Sequence, residues 1–207
     1  MKIALIGATG YVGSQLLVEA RARGHHVTAL ARNPKDVPYH DRVRAVEADV
    51  SHTSNLAASL AHHDVVVSAF NPGDDPDGGG DRAILQAVRQ AQVPRFLAVG
   101  GASSLLLPDG RRLVDQPDFP AQWKPGALLT AAFLDHLRAE RRLDWVILSP
   151  SAMLAPGKRT ARYRVGRDDL LLDADGNSHI SLEDFAVAML EEAESPQHHR
   201  QRFTVGY

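Results

Sequence analysis

The sequence predicts an α/β fold with a doubly wound parallel sheet, and three observations support this prediction. Short apolar runs alternate with helical patterns through the first 150 residues. The run at residues 64–70 is apolar almost without a break, as expected for a central strand covered by helices on both faces. A glycine-rich turn joins the first apolar run to the first helical pattern. Strands that alternate with helices in this way form right-handed βαβ units.

The predicted elements follow one another in a regular order up to residue 150. Strands are predicted at residues 3–6, 27–31, 43–48, 64–70, 95–99 and 145–148, and helices at residues 11–23, 53–61, 81–92 and 126–141. The expected strand order is 3-2-1-4-5-6. Residues 74–81 are rich in acids and glycine but lack the spacing of a calcium loop, and we interpret them as a mobile loop over the cleft at the sheet edge.

The rhythm changes after Pro150. Residues 160–165 and 170–172 are predicted to pair as a small hairpin outside the main sheet. A helix with Ser181 as its N-cap is expected to run to about residue 194, because acids in its first turn complement the helix dipole. Residues 203–205 are predicted to add a last strand. No sharp boundary divides the chain, so residues 1–207 are expected to form one domain.

Composition excludes several classes of function. The 207 residues include 23 basic and 25 acidic ones without a long basic run, so neither nucleic acid nor a membrane is expected as a partner. Cysteine is absent, which excludes disulfides and thiolate metal sites. Most of the ten histidines form adjacent pairs without ligand spacing, so no metal is expected. A cytoplasmic location is the default expectation, and the protein is expected to be a monomer or a homodimer.

The glycine turn reads Gly7-Ala8-Thr9-Gly10-Tyr11-Val12-Gly13 and lies between a predicted strand and a predicted helix. The first glycine permits a tight turn, the second lets a diphosphate approach the backbone, and the third lets the helix pack closely on the strand. The amides of the first helical turn then face the phosphates. A structural turn without a ligand is the alternative. The context favours a Rossmann-type site for a nicotinamide dinucleotide.

The end of the second strand distinguishes NADP(H) from NAD(H). An acid there accepts hydrogen bonds from the ribose hydroxyls, whereas an arginine binds a 2′-phosphate. Here Arg32 and Asn33 occupy that place, and no acid appears before Asp36. A guanidinium binds phosphate through two parallel hydrogen bonds, so NADP(H) is favoured, with a solvated surface arginine as the alternative.

The end of the third strand carries Asp49 and Val50. In folds of this kind an acid at this place accepts a hydrogen bond from the adenine amino group, and the next apolar residue lies against the ring. Asp49 is equally suited to capping the helix near Thr53. Both interpretations stay open on the sequence alone.

The glycine turn, together with Ala31-Arg32-Asn33-Pro34, resembles the atypical short-chain dehydrogenase/reductases, a group that includes NmrA-like and biliverdin-reductase-B-like proteins. Within this group the chain is most similar to the NADH-flavin reductases. The segments that carry this finer likeness are residues 99–105, 143–150, 156–160, 163–164, 180–181 and 203–207. The resemblance spans essentially the whole chain.

The resemblance implies further dinucleotide contacts at the carboxyl ends of the strands. They are Ala69, Phe70 and Asn71 after the fourth strand, and Gly100 and Gly101 after the fifth. Pro150, after the sixth strand, is a candidate to border the nicotinamide, with a plain turn as the alternative. Ser104 is a weak catalytic candidate that would hydrogen-bond the acceptor or the nicotinamide, with backbone capping as the alternative.

One departure from the resembled group bears on the chemistry. Standard members carry Tyr-x-x-x-Lys on the helix after the fifth strand, but residues 126–141 contain neither tyrosine nor lysine. Positioned proton donation is worth about 10²–10⁴-fold in rate when an isolated carbonyl is reduced. A flavin or quinone spreads the incoming charge over a conjugated system and draws protons from water.

The sequence therefore predicts an NADPH-dependent reductase of a small-molecule acceptor, with FMN or FAD as candidate substrates. The alternative is a non-catalytic NADP(H)-binding redox sensor of the NmrA-like type, which the missing catalytic pair also fits. A sugar-type epimerase or dehydratase is disfavoured because the tyrosine is missing.

Overall fold

Alternating strands and helices build the part of the chain that the computed structural model describes, residues 1–75 and 78–207. The elements, in chain order, are β1 (Lys2–Ile6), α1 (Tyr11–Ala22), β2 (His26–Ala31), β3 (Val43–Glu47), α2 (Thr53–Leu60), β4 (Val65–Ser68), α3 (Gly80–Ala91), β5 (Phe96–Val99), α4 (Lys124–Ala139), β6 (Trp145–Ser149), β7 (Met153–Ala155), β8 (Arg164–Gly166), β9 (His179–Ser181), α5 (Leu182–Glu194) and β10 (Gln201–Gly206).

The main sheet has the order β3-β2-β1-β4-β5-β6-β10-β8. Its strands run parallel except β8, which pairs antiparallel with β10. The predicted Rossmann-type order 3-2-1-4-5-6 is therefore confirmed, and β10 and β8 extend it. In the register, Ile3 lies opposite Val27 of β2 and Val65 of β4, so β1 is an interior strand of the sheet, paired on both edges.

Two layers of helices cover the sheet because its central strands are apolar on both faces. One core cluster packs β1 and its neighbours against α1 and α5, and Phe185 is fully buried there. The other packs the opposite face against α2, α3 and α4 around Phe96 and Phe133. The strand register thus places the carboxyl ends of β1 to β6 together at one edge.

The prediction of a hairpin between residues 160–165 and 170–172 is wrong. Arg164–Gly166 forms β8, which joins the main sheet by pairing with β10. Leu170 instead donates its amide to Leu106 O over 2.8 Å. Strand β10 pairs with β6 along one edge, so its other edge is open to β8. Pairing with this edge satisfies more backbone groups of the main sheet than an isolated hairpin would.

Two further segments differ in detail from the prediction. Helix α4 begins at Lys124 rather than residue 126, because Pro125 is accommodated in the first helical turn. The loop predicted at residues 74–81 falls partly on Pro76 and Asp77, which lie outside the described residues.

The N-cap prediction for α5 is confirmed, since Ser181 Oγ accepts a 3.0 Å hydrogen bond from the Asp184 amide.

Candidate functional site

The glycine turn lies between β1 and α1 at the carboxyl edge of the sheet. Gly7 has a φ of +76°, a conformation that residues with side chains rarely adopt. Its carbonyl oxygen accepts a 3.0 Å hydrogen bond from the Gly10 amide, and its own amide donates to Leu30 O over 3.0 Å. A Cβ atom on Gly7 would lie 3.0 Å from the carbonyl oxygen of Ala69. The turn is therefore closed internally and seated against the ends of β2 and β4.

The first turn of α1 presents free backbone amides. The N-cap residue is Gly10, so no side chain caps the helix. The first helical hydrogen bond runs from the Ser14 amide to Gly10 O over 2.9 Å. Within residues 1–75 and 78–207, the amides of Tyr11, Val12 and Gly13 have no hydrogen-bond acceptor. Three free N–H groups at the positive end of a helix dipole form a seat for an anion such as phosphate.

Gly13 and Gly10 differ in their surroundings. A Cβ atom on Gly13 would lie 2.0 Å from the carbonyl oxygen of Gly7, whereas one on Gly10 would meet the same atom at 3.4 Å. Gly13 thus allows close packing of α1 on the turn. Gly10 and Thr9 are exposed, so their backbone is accessible to a ligand. The packing role that the spacing predicts for the third glycine matches this geometry, and the role of the second glycine toward a diphosphate stays a prediction.

The ends of β2 and β3 lie side by side, since the Ala48 amide donates to Ala31 O over 3.0 Å. Arg32 is exposed there, and no ion pair involves it within the described ranges. Asn33 Oδ1 accepts a 3.3 Å bond from the Lys35 amide and caps a 3₁₀ turn. The guanidinium of Arg32 is therefore available to a ligand, whereas part of the Asn33 amide is already used.

Asp49 stabilises the turn after β3. Its Oδ1 atom accepts hydrogen bonds from the Ser51 amide at 2.9 Å and the Ser51 hydroxyl at 2.7 Å. These bonds, together with the nearby positive charge of Arg32, hold the pKa of Asp49 below its ordinary value. Val50 is half-buried against the core cluster of α2 and α3. Asp49 thus caps a turn before α2 while its second carboxylate oxygen makes no bond in the described part of the chain.

Phe70 and Asn71, after β4, have mainly structural contacts. A Cβ atom on Gly80 would lie 2.5 Å from Phe70 Cζ, so the ring packs directly on the start of α3. Asn71 Oδ1 accepts a 3.0 Å bond from the Gly73 amide and caps a second 3₁₀ turn. Ala69 lies closest to the glycine turn of the three, through its carbonyl oxygen.

The ends of β5 and β6 are tightly packed. A Cβ atom on Gly100 would lie 2.9 Å from Ile147 Cγ1, and one on Gly101 would lie 2.9 Å from Thr130 Cγ2. Gly100 therefore lets the strand end pack against β6, and Gly101 lets the chain pass close to α4. Pro150, after β6, is buried. At Gly100 and Gly101 there is little room for a side chain, and their contact with a dinucleotide stays a prediction.

Ser104 is engaged with an arginine from the far end of the chain. Arg202 Nη1 donates to Ser104 Oγ over 2.8 Å, and Arg202 also pairs with Asp168. The three residues line a cavity of 290 Å³ beside α4. Ser103 Oγ donates to Ala127 O over 2.9 Å. Both serine hydroxyls are thus held by the protein itself.

Helix α4 approaches the loop after β4 through two glycines. A Cβ atom on Gly73 would lie 3.2 Å from Gly126 Cα, and one on Gly126 would lie 3.2 Å from Gly73 Cα. Lower on the helix, His136 Nδ1 lies 2.5 Å from Asp81 Oδ2, a carboxylate at the start of α3. The helix carries no tyrosine, and its one lysine, Lys124, is its first residue.

Sequence reasoning missed the small sheet of β7 and β9, which follows the end of β6. The two strands pair in parallel, with Leu154 opposite Ile180. Tyr11 OH donates to Leu154 O over 3.3 Å, so this sheet lies beside the glycine turn. The only sequence signal was a pair of three-residue segments with apolar central residues, which is too short to identify a strand.

Among residues 1–75 and 78–207, no group of three histidine, aspartate or glutamate side chains is placed to hold a metal ion. In the same ranges, every helix is too short or too polar to cross a membrane.

Comparisons with known proteins agree with this geometry. The sequence model of a family described as NAD(P)H-binding matches residues 7–196. The uncharacterised protein YwnB of Bacillus subtilis (strain 168) is 40% identical over 99% of this chain and 98% of its own. A "putative epimerase" from Bacteroides thetaiotaomicron has a TM-score of 0.94 and 45% identity, covering 100% of this chain and 96% of that one. A "putative NADH-flavin reductase" from Streptococcus pneumoniae has a TM-score of 0.87 and 32% identity, covering 100% and 99%.

Proposed function

Because this chain belongs to the NAD(P)H-binding family, within the atypical short-chain dehydrogenase/reductase group, we propose that it is an NADPH-dependent oxidoreductase acting on a flavin or a similar conjugated acceptor. The observation that carries this proposal is the combination of free amides at the start of α1 with an α4 that lacks a tyrosine. The free amides suit a diphosphate, and the missing tyrosine disfavours the reduction of an isolated carbonyl.

The diphosphate would be bound by the first turn of α1. The free amides of Tyr11, Val12 and Gly13 lie at the positive N-terminal end of the helix dipole. Gly10 has no side chain that would block a diphosphate from reaching them. Gly7 and Ala69 hold the turn against β4. Oriented amides bind an anion with little reorganisation, because the fold already fixes them.

Arg32 supports NADPH over NADH. Its guanidinium is exposed at the end of β2 and carries a charge that no carboxylate in the described ranges neutralises through an ion pair. A 2′-phosphate offers two negative oxygens to the guanidinium fork. A ribose hydroxyl would meet a cation there instead of the acid that NAD-specific sites use.

The acceptor class follows from what surrounds β5 and β6. NADPH, when bound, supplies a hydride. Ser103 Oγ already donates to Ala127 O, whereas Ser104 Oγ accepts from Arg202 and keeps its own hydrogen. The tyrosine that would serve as a positioned proton donor is missing from α4. An isolated carbonyl needs such a donor for about 10²–10⁴-fold of its rate, whereas a conjugated ring spreads the charge. The residues therefore need only hold two planar rings about 3–3.5 Å apart.

The names of two related structures bear on the acceptor. The streptococcal structure carries the name of an NADH-flavin reductase, which agrees with the acceptor proposed. The Bacteroides structure carries the name of an epimerase. Epimerase chemistry in the wider superfamily depends on the tyrosine that α4 lacks, so the reductase assignment is preferred for this chain.

A second candidate is a non-catalytic NADP(H)-binding redox sensor of the NmrA-like type. The absence of a tyrosine from α4 favours it, because a sensor needs the dinucleotide but no proton donor. Turnover separates the two candidates.

The test is a titration of the protein with NADPH and NADH, followed by NADPH oxidation assays with FMN, FAD and quinones. We expect tighter binding of NADPH and turnover with at least one acceptor. Tight NADPH binding with no turnover on any acceptor would favour the sensor. Absence of binding by either dinucleotide would remove both candidates.

A further inference from the structure

Tyr11 connects the glycine turn to the segment that follows β6. It is the first residue of α1, its side chain is 59% exposed, and its hydroxyl donates to Leu154 O over 3.3 Å. The two residues are 143 positions apart in the sequence. Because the Tyr11 side chain stays largely exposed, the hydrogen bond to Leu154 does not serve to bury the ring in the core.

The acceptor of this bond is fixed by its own strand. Leu154 is the central residue of β7, pairs with Ile180 of β9, and packs against the core beneath α1 and α5. The Met153 amide donates to Ser178 O over 2.9 Å, and the Ala152 amide donates to Ser178 Oγ over 3.1 Å. The Leu154 carbonyl is therefore held in place by β7, and the Tyr11 hydroxyl donates to it.

Tyr11 has two roles in the geometry of the site. Its amide is one of the three free N–H groups at the start of α1, and its side chain reaches the strand after Pro150. The diphosphate end of the proposed site lies at the first of these places. The nicotinamide end lies near the second, because β6 ends there beside β5. A single residue thus links the first turn of α1 to the strand that follows β6.

We propose that Tyr11 is a positioning residue that closes this side of the dinucleotide site through its hydrogen bond to Leu154 and slows cofactor release. This inference rests on the proposed function. The bond contributes little to folding, since it is single, long and exposed to water. Its effect is instead expected in the lifetime of the complex, because the ring must move before a ligand spanning the two ends can leave.

The test compares Tyr11→Phe with Tyr39→Phe. Tyr39 is 89% exposed, and its hydroxyl donates to Asp41 Oδ1 of its own loop over 3.0 Å, its one bond in the described ranges. NADPH is bound to each protein and displaced by excess NADP⁺ in a stopped-flow instrument that follows NADPH fluorescence. We expect dissociation from Tyr11→Phe to be about twofold faster, the lower end of what one net hydrogen bond supplies, because this bond is long and exposed to water. The melting temperatures of both variants, and the dissociation rate of Tyr39→Phe, are expected to equal those of the wild type.

Three other results have distinct meanings. Equal dissociation rates for Tyr11→Phe and the wild type would overturn the inference while leaving the proposed function intact. A lower melting temperature of Tyr11→Phe with an unchanged dissociation rate would assign the bond to folding and also overturn it. A wild-type protein that binds no NADPH would instead refute the proposed function, from which this inference follows.

Discussion

Gly7 and Gly13 meet so closely that a Cβ atom on Gly13 would lie 2.0 Å from the carbonyl oxygen of Gly7. That separation is far below any van der Waals contact and involves backbone, which cannot rotate away. The start of α1 is thereby held against the turn. The free amides of the first helical turn depend on this contact for their direction.

Gly13→Ala is expected to destabilise the fold by about 1–3 kcal/mol, the usual cost of forcing extra atoms into a packed site. It should also abolish dinucleotide binding, because α1 must move. Gly10→Ala is the matched variant, since its Cβ would meet Gly7 O at a tolerable 3.4 Å. We expect it to keep its melting temperature but lose affinity, as the methyl group blocks the approach of the diphosphate. Equal stability losses in the two variants, measured by thermal unfolding, would contradict this assignment.

Arg32→Asp is expected to weaken NADPH binding roughly ten- to a hundredfold, the range for hydrogen bonds to a charged group, and to change NADH binding much less. Fluorescence titration with each dinucleotide measures the difference. Arg141→Asp gives the same change in net charge at an exposed position just beyond α4, and should leave both affinities unchanged. Equal losses of NADPH and NADH affinity in Arg32→Asp would exclude Arg32 from the phosphate site.

Glu19 is a buried carboxylate on α1 that pairs with Arg23 at 2.8 Å and with Arg159 at 2.8 Å. The hydrogen bond from Arg159, followed by that from Arg23, lowers the pKa of Glu19 below its ordinary value of 4.5. A lowered folded-state pKa means that the ionised carboxylate stabilises the protein above about pH 4.5. This stabilisation is lost as the pH falls through the folded-state pKa.

Glu19→Gln should therefore cost about 1–3 kcal/mol near pH 7, because it weakens two charge-assisted hydrogen bonds, one from the largely buried Arg23 and one from the half-exposed Arg159. The difference from the wild type should shrink toward zero in acid. Denaturant unfolding at pH 7 and pH 3 measures both values. The exposed Glu47 provides the control Glu47→Gln, for which no difference is expected. A difference that stays constant with pH would show that packing, not charge, makes Glu19 important.

Asp184 is fully buried at the start of α5 and accepts bonds from the Thr160 amide at 2.7 Å, the Ala161 amide at 2.8 Å and Tyr207 OH at 2.6 Å. Asp184→Asn would place an NH₂ group among these donors, so we expect a loss of about 1–3 kcal/mol in unfolding free energy. Asp175→Asn, at an exposed loop position, is the control. A melting temperature of Asp184→Asn equal to that of the wild type would refute the prediction.

The strands and helices up to Pro150 are predictable from the sequence because each is specified locally. Four consecutive buried residues make β4 recognisable, and the glycine turn contains all of its own determinants within seven positions. The first strands also fix the sheet order, since right-handed crossovers leave few arrangements.

The region after Pro150 is not predictable in the same way. Strands β7, β8 and β9 have three residues each, and their partners lie far away in the chain. The contacts of Ser104 with Arg202 and of Tyr11 with Leu154 depend on folding across 98 and 143 positions. No local pattern encodes such pairs. The glycine turn could therefore be found from sequence, whereas the Tyr11 bridge and the engagement of Ser104 could not.

The close approach of Gly73 and Gly126 has a consequence for protein engineering. Either position, given a side chain, would push α4 away from the loop after β4, because the opposing atom is backbone. The two positions therefore cannot be varied independently, because a larger residue at either one requires a greater distance between α4 and the loop. Grafting a tyrosine and a lysine onto α4 to create a ketone reductase would have to preserve this pair, since the helix axis that aims any grafted group is set there.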